Sequence, residues 1–281
     1  MSIPEKSSTV IHGRSFTWGA RTYVMGILNV TPDSFSGDGL AGDVKGAITR
    51  AKAFENDGAD ILDVGGESTR PGAKPVGAEE ELQRILPVVK AMAKATTLPV
   101  SIDTHKSQIA SAAVTAGAAV INDIWGLKHD AHMAEVAAKT GAILVIMHNQ
   151  HGTDYDDLVQ DMVESLARSI DTARRAGVPR EHIIIDPGFG FGKTPQQNLE
   201  ILRHLGEFKT LGHPLLIGTS RKSTIGLVLD LPVEERLEGT AATVAIAIAK
   251  GADIVRVHDV KAMARVAKMA DAIIRGWKEP A

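Results

Sequence analysis

Short apolar runs and longer amphipathic stretches alternate along most of the chain, and that alternation predicts the fold. Gly58-Ala-Asp-Ile-Leu-Asp63, Gly117-Ala-Ala-Val-Ile-Asn122, Gly141 to His148 and Gly251-Ala-Asp-Ile-Val-Arg256 repeat one unit. In each, a glycine closes a helix, an alanine turns the chain, and a short apolar strand ends on a polar residue. Tyr23 to Asn29, Pro99 to Asp103, Ile183 to Asp186 and Pro214 to Gly218 complete a set of eight strands. Helical spacing fills the intervals, as in residues 43–57, where Val44, Ala47, Ile48, Ala51 and Phe54 fall on one face. Eight such units predict an α/β fold, a closed parallel (β/α)8 TIM barrel, with a doubly wound open sheet as the alternative topology. Residues 9–18 read as a hairpin turning at Gly13, so residues 1–22 form a cover. No composition shift divides residues 1–281, which are read as one domain. Thr194-Pro195-Gln196-Gln197 carries the signature of a helix start with a capping box.

Composition narrows the class. A chain of 281 residues with 44% hydrophobic and 23% charged residues suits a globular enzyme with a large core. The net charge of −3 gives no reason to expect nucleic acid or an acidic membrane as partner. The absence of cysteine excludes disulfides, thiolate nucleophiles and cysteine-ligated zinc, and is compatible with a reducing cytosol. The first six residues lack an apolar signal core. The longest apolar run, Ala241 to Ala249, is too short to span a bilayer and reads as a buried helix. A soluble, cytoplasmic protein is expected.

The chemistry gathers at the strand ends. Just past the strands stand Asn29, Asp63 with Glu67 and Arg70, Asp103, Asn122 with Asp123, His148, Asp186, Ser220 with Lys222, and Arg256 with His258. In a barrel all of these share the carboxyl-end face, where loops build active sites. Asp103, Asn122 and Asp186 could hold a flat ring that displays N–H donors, since a carboxylate facing an amidine-like edge makes two parallel hydrogen bonds. Arg70, Lys222, Arg256 and His258 form a basic group suited to a polyanion such as phosphate, with Asn29 and Ser220 adding neutral contacts. In Gly188-Phe-Gly-Phe-Gly-Lys193 only three residues separate the first glycine from Gly192-Lys193, where a P-loop needs four, and the glycines do not match the dinucleotide pattern. Phe189 and Phe191 read as exposed aromatics on that loop. The pairs His129/His132 and His148/His151 lack a third ligand for zinc. A magnesium ion held between substrate phosphates and one protein amide fits the residues better.

Taken together, these stretches resemble the dihydropteroate synthases of the pterin-binding barrel family. The resemblance is carried by Met25 to Ser36, Asp63 to Gly72, Ser101 to Thr104, Ile121 to Ile124, Met147-His148, Asp186 to Lys193, Ser220 to Ser223 and Arg256 to Asp259. It implies condensation of 6-hydroxymethyl-7,8-dihydropterin diphosphate with 4-aminobenzoate, by dissociative loss of pyrophosphate and with Mg²⁺ as cofactor. It further implies that Asp103, Asn122, Asp186 and Lys222 bind the pterin, with Met147 and Phe191 in the pocket walls. Arg256 would stack on the pterin and reach the diphosphate, with His258 beside it at the pyrophosphate site. Asn29 is implied as the magnesium contact. Phe35, Thr69, Arg70, Pro71 and Ser220 would shape the aminobenzoate site, with loops 31–42 and 65–77 closing over it. Asp103, Asp186, Lys222 and Arg256 are the implied catalytic set, and a homodimer is the implied assembly. Two departures stand out: the acid after Ser-Phe-Ser is displaced by one, to Asp38, and the segment 149–154 is short. Competing readings are a methyltetrahydrofolate–corrinoid methyltransferase, which would not need Ser-Thr-Arg-Pro or Ser-Arg-Lys-Ser, and a non-catalytic pterin-binding subunit. From the residues alone, Lys222 as a Schiff-base lysine is a further alternative.

Overall fold

Which way each strand-end residue points is decided by parity, since alternate side chains on a strand face opposite sides of the sheet. The structure, a computed structural model, describes residues 7–30, 44–67 and 76–277. Strands β1 (Ser8–Ile11) and β2 (Arg14–Thr17) pair antiparallel as a hairpin. The parallel strands are β3 (Tyr23–Asn29), β4 (Ile61–Gly65), β5 (Val100–Asp103), β6 (Val120–Asp123), β7 (Ile143–Met147), β8 (Ile183–Asp186), β9 (Leu216–Ile217) and β10 (Ile254–Val257). They pair in the order β8-β7-β6-β5-β4-β3-β10-β9, and a bridge from Ile185 to Leu215 joins the two edges into a barrel. The closed alternative of the two topologies is the one observed.

Helices α1 (Val44–Asn56), α2 (Ala78–Ala95), α3 (Ser107–Thr115), α4 (Met133–Thr140) and α5 (Leu158–Arg175) cover the first part of the barrel. The rest is covered by α6 (Pro195–Arg203), α7 (Ser223–Leu229), α8 (Leu237–Ala249) and α9 (Val260–Arg275). The repeated Gly-Ala unit behaves as its residues require: Gly58, Gly117, Gly141 and Gly251 have φ of 98°, 118°, 71° and 97°, a left-handed turn that an L side chain resists. The main apolar core lies between strands and helices and joins residues such as Leu62, Ile85, Ile102, Leu144, Ile185 and Phe208.

One expectation fails in part. The helix over Ala241 to Ala249 is not buried all round: Val244, Ala247 and Ile248 face the core, while Ile246 is 48% exposed. An apolar sequence fixes no buried face by itself, and only one stripe of α8 meets the sheet.

Inside the barrel, one parity runs from apolar to polar. Tyr23, Met25, Ile61, Val120, Val145, Ile184, Leu216 and Ile254 form a separate apolar cluster with Ile11, Phe16 and Trp18 of the hairpin. That cluster plugs the end where the strands begin. Two residues further along the same strands, on the same side, come Asp63, Asn122, Met147, Asp186 and Arg256.

Candidate active site

The loop after β8 shows how locally the site is built. Asp186 is buried, and its Oδ1 accepts the Gly188 N–H at 2.7 Å. Gly188 has φ of 71°, and a Cβ there would stand 1.9 Å from the His148 carbonyl oxygen, so the loop fits against the 148–150 segment only as glycine. The Lys193 ammonium donates to the Gly188 and Phe191 carbonyls at 3.1 and 2.8 Å and lies 3.1 Å from His148 Nδ1. Lys193 therefore ties the loop to itself rather than reaching a ligand. The loop ends in the capping box the sequence predicts: Thr194 Oγ1 accepts the Gln197 N–H, and Gln197 Oε1 accepts the Thr194 N–H. Of the two loop aromatics, Phe189 is buried at 1% exposure, which corrects the reading of both as exposed. Phe191 is half-buried. The loop folds back so that Phe189 joins the core beneath it.

Asp186, Asn122, Met147, Phe191, Lys222 and Arg256 line one pocket of about 290 Å³, counted to its open mouth. Ile124, Phe189 and Gly218 complete its walls. Asp103 does not line it but is bound to Arg256, which does. Register explains the convergence: Asp103 pairs with Asn122 and Met147 with Asp186 across neighbouring strands. Lys222 Nζ sits 4.0 Å from the Phe191 ring centre, a cation over an aromatic face.

Arg256 is not confined to the anion-binding group. Its Nε donates to Asp63 Oδ2 at 2.6 Å and its Nη2 to Asp103 Oδ2 at 2.6 Å. Asn122 Nδ2 donates to the same Asp63 oxygen at 3.3 Å. Asp63, which is wholly buried, thus orients both a cation and an amide, a role that sequence reasoning did not assign. Its only signal was its place at a strand end. Arg256, read from the sequence as one of the basic group, is bound into the acidic one.

Burial sets the charges. It pushes the Asp186 carboxyl up to about 6 and the Asp103 carboxyl up to about 7, against the pull of Arg256. Burial, with Arg256 nearby, lowers Lys222 to about 8. His258 departs most from expectation: burial and then Arg256 lower it to about 3, so it stands neutral. Ser220 Oγ accepts the His258 N–H at 3.1 Å and lies 3.0 Å from His258 Nδ1. The serine hydroxyl thus holds both the backbone and the ring of His258 in place.

Three buried acceptors of this network have no partner among the described residues: Asp63 Oδ1, Asp103 Oδ1 and Asn122 Oδ1. Unpaired buried acceptors are costly, and a ligand with several N–H donors would satisfy them. Asn29 ends β3 opposite Gly65, and a Cβ on that glycine would lie 3.9 Å from Asn29 Oδ1 and 3.8 Å from Asp103 Oδ2. These are hard oxygen donors, too few to cage a metal alone. They fit a cation that keeps waters and shares ligand oxygens, as Mg²⁺ does. Phe35, Asp38, Thr69, Arg70 and Pro71, and most of the two loops read as closing over the site, lie outside the described residues.

Comparison with known proteins bears directly on this pocket. Residues 25–258 match the family model described as pterin binding enzyme. The chain is 53% identical to a dihydropteroate synthase of Clostridium beijerinckii over 266 residues, covering 94% of this chain and 99% of the relative. It is 52% identical to the Bacillus subtilis dihydropteroate synthase, covering 94% of each. Among solved structures, a Clostridium difficile dihydropteroate synthase in the presence of pteroic acid superposes with a TM-score of 0.88 at 51% identity, covering 92% of this chain and 98% of that one. A Xanthomonas albilineans dihydropteroate synthase with 4-aminobenzoic acid gives a TM-score of 0.90 at 40% identity, covering 95% and 98%.

Proposed function

The chain belongs to the pterin-binding enzyme family, and from that membership we infer its reaction. It is a dihydropteroate synthase, a transferase of folate biosynthesis, joining 6-hydroxymethyl-7,8-dihydropterin diphosphate to 4-aminobenzoate to give 7,8-dihydropteroate and pyrophosphate. The observation that carries this reading into the site is the set of unpaired buried acceptors beside Asp186 in a pocket walled by Phe191 and Met147. A pterin presents a 2-amino group next to a ring N–H, and Asp186 can accept both. Asn122 and Asp103 take the remaining donors, Lys222 faces the ring acceptors, and Arg256 offers a flat cation to the ring and the diphosphate.

No protein nucleophile is needed. The C–O bond to the diphosphate breaks with its electron pair on oxygen, the neutral aromatic amine attacks the methylene carbon, and the new ammonium gives its proton to solvent. Arg256 and His258 stabilise the departing charge, while the Asp103 and Asp186 carboxylates stabilise the electron-poor ring. Arrival of a polyanion would draw a proton onto His258, because the neutral state follows from burial and the nearby arginine. Asn29, with Asp103 nearby, would hold a magnesium ion, which when bound neutralises the diphosphate. Ser220 and, by resemblance, Phe35, Thr69, Arg70 and Pro71 shape the aminobenzoate side. Among the described residues no helix is long and apolar enough to cross a membrane, which supports a cytoplasmic location for a folate-pathway enzyme.

The assembly we propose is a homodimer. Ile246 on α8 and Met269, Ile273, Ile274 and Trp277 on and after α9 are between 45% and 72% exposed. Such apolar surface on two neighbouring helices is what a second copy covers. Light scattering that gives a monomer at micromolar concentration would refute this. For the reaction itself, pyrophosphate release is measured with both substrates together and each alone. Release only with both is expected, and none with both would overturn the assignment.

A further inference from the structure

Arg221 stands between Ser220 and Lys222, and the reaction as read above gives it no role. Its backbone is left-handed, with φ of 57°, a conformation that a residue with a Cβ resists. Several contacts over-determine this turn. The Arg221 N–H donates to Thr240 Oγ1 at 3.1 Å, and its carbonyl accepts Arg236 Nη1 at 3.1 Å. Its guanidinium grips Asp259 with two bonds, Nε to Oδ2 at 2.9 Å and Nη2 to Oδ1 at 2.5 Å.

Asp259 is the partner that makes this informative. It occupies the N-cap of α9, where an aspartate side chain ordinarily accepts a helix N–H, yet it makes no such bond. The carboxylate is turned to Arg221 instead. The loops after β9 and β10 are therefore joined twice: by Ser220 with His258 and by Arg221 with Asp259. Site and tie residues are close neighbours on both segments. Ser220 and Lys222 flank Arg221 after β9, and Arg256 near the end of β10 and His258 just past it precede Asp259.

We propose that Arg221 is a positioning residue: through Asp259 it holds the turn after β9 against the end of β10, so that Ser220 and Lys222 meet His258 and Arg256 across one substrate site. This rests on the reading of that site as the one holding the pterin diphosphate. A planar, two-pronged guanidinium fixes angle as well as distance, which a lysine cannot do equally.

The test compares Arg221→Met, Asp259→Ala, their double variant and Arg221→Lys with the unaltered enzyme. Pyrophosphate release is measured with both substrates, inorganic pyrophosphate binding by calorimetry, and Tm alongside. Activity of the unaltered enzyme tests the underlying reading separately, so its failure is distinguishable from that of the proposal. Arg221→Met and Asp259→Ala are each expected to lose about ten- to a hundredfold in kcat/KM for the pterin diphosphate, the scale of a small misplacement. Pyrophosphate affinity should fall in step, with Tm within a few degrees of the parent and partial recovery in Arg221→Lys. The double variant should be no worse than either single one, because both remove one interaction. Parental kcat/KM and pyrophosphate affinity in both single variants would overturn the proposal, as would losses that multiply in the double variant.

Discussion

At the end of the barrel where the strands begin, Phe16, Trp18 and Tyr23 pack together with ring centres 4.7 to 5.7 Å apart. The polar atoms among them are paired: Trp18 Nε1 donates to Thr9 Oγ1, Thr9 Oγ1 to the Glu181 carbonyl, and the Thr17 N–H to Tyr23 Oη. At the other end, where β4, β5 and β6 run out, Asp63, Asp103 and Asn122 each keep a buried oxygen without a partner among the described residues. Of the five such side-chain atoms among the described residues, four belong to β4, β5 and β6 and the fifth is His182 Nδ1, just before β8. The same scaffold therefore spends one end on packing and leaves the other with polar groups awaiting a ligand. The unpaired buried polar atoms thus gather mainly on the strands that lead to the pocket, where a ligand can pair them.

Removing the cation that holds the open end together should be the sharpest test of this contrast. Arg256→Ala would strand the Asp63 and Asp103 carboxylates in the interior, at a cost of about 3–5 kcal/mol, and reduce turnover by roughly two to four decades. Urea unfolding and pyrophosphate release read the two effects, and a stable, active variant would contradict both. At the closed end, Trp18→Ala should also cost about 3–5 kcal/mol in unfolding free energy, yet leave both KM values unchanged, because nothing there touches the pocket. A shift in KM would show that the two ends are coupled.

Asp186→Asn should separate stability from activity. The folded carboxyl titrates at about 6, above its ordinary 3.8, so between those values the folded state binds more protons than the unfolded one. Stability therefore falls as pH rises through that window and stays lower above it. At pH 8 the asparagine variant should be more stable by roughly 1–3 kcal/mol while turnover drops by about two to four decades. A variant that melts lower at pH 8 would argue against a burdened carboxylate. The smallest effect is the pH profile. The kcat/KM for the pterin diphosphate should rise between about 6 and about 7 as Asp186 and then Asp103 ionise, and decline through about 8 as Lys222 loses its proton. In Asp186→Asn the acid limb should steepen less and keep only the Asp103 part; a limb unchanged in shape would assign it to another group.

How far the chain could be read in advance differs from residue to residue. The capping box at Thr194 and the Gly-Ala turns were legible because each rests on neighbours within a few positions. The strand ends were legible too, since period and length place them. Asp63 was visible only as one more strand-end acid, because its partner Arg256 lies 193 positions away. Phe189 read as exposed because its burial depends on the loop folding back over the core. His258 read as basic because no sequence states the degree of burial that keeps it neutral.

By itself the sequence determined the eight-strand alternation, the parity that sends the strand-end residues to one mouth, and the family those residues mark. Only the tertiary structure decided which of them share Arg256, which acceptors are left unpaired, and which ionisable groups are pushed from their ordinary pKa. The reason is physical. Strand and helix patterns follow from local sterics and the period of burial, whereas pairing, desolvation and charge depend on distances between residues that only the closed barrel brings together.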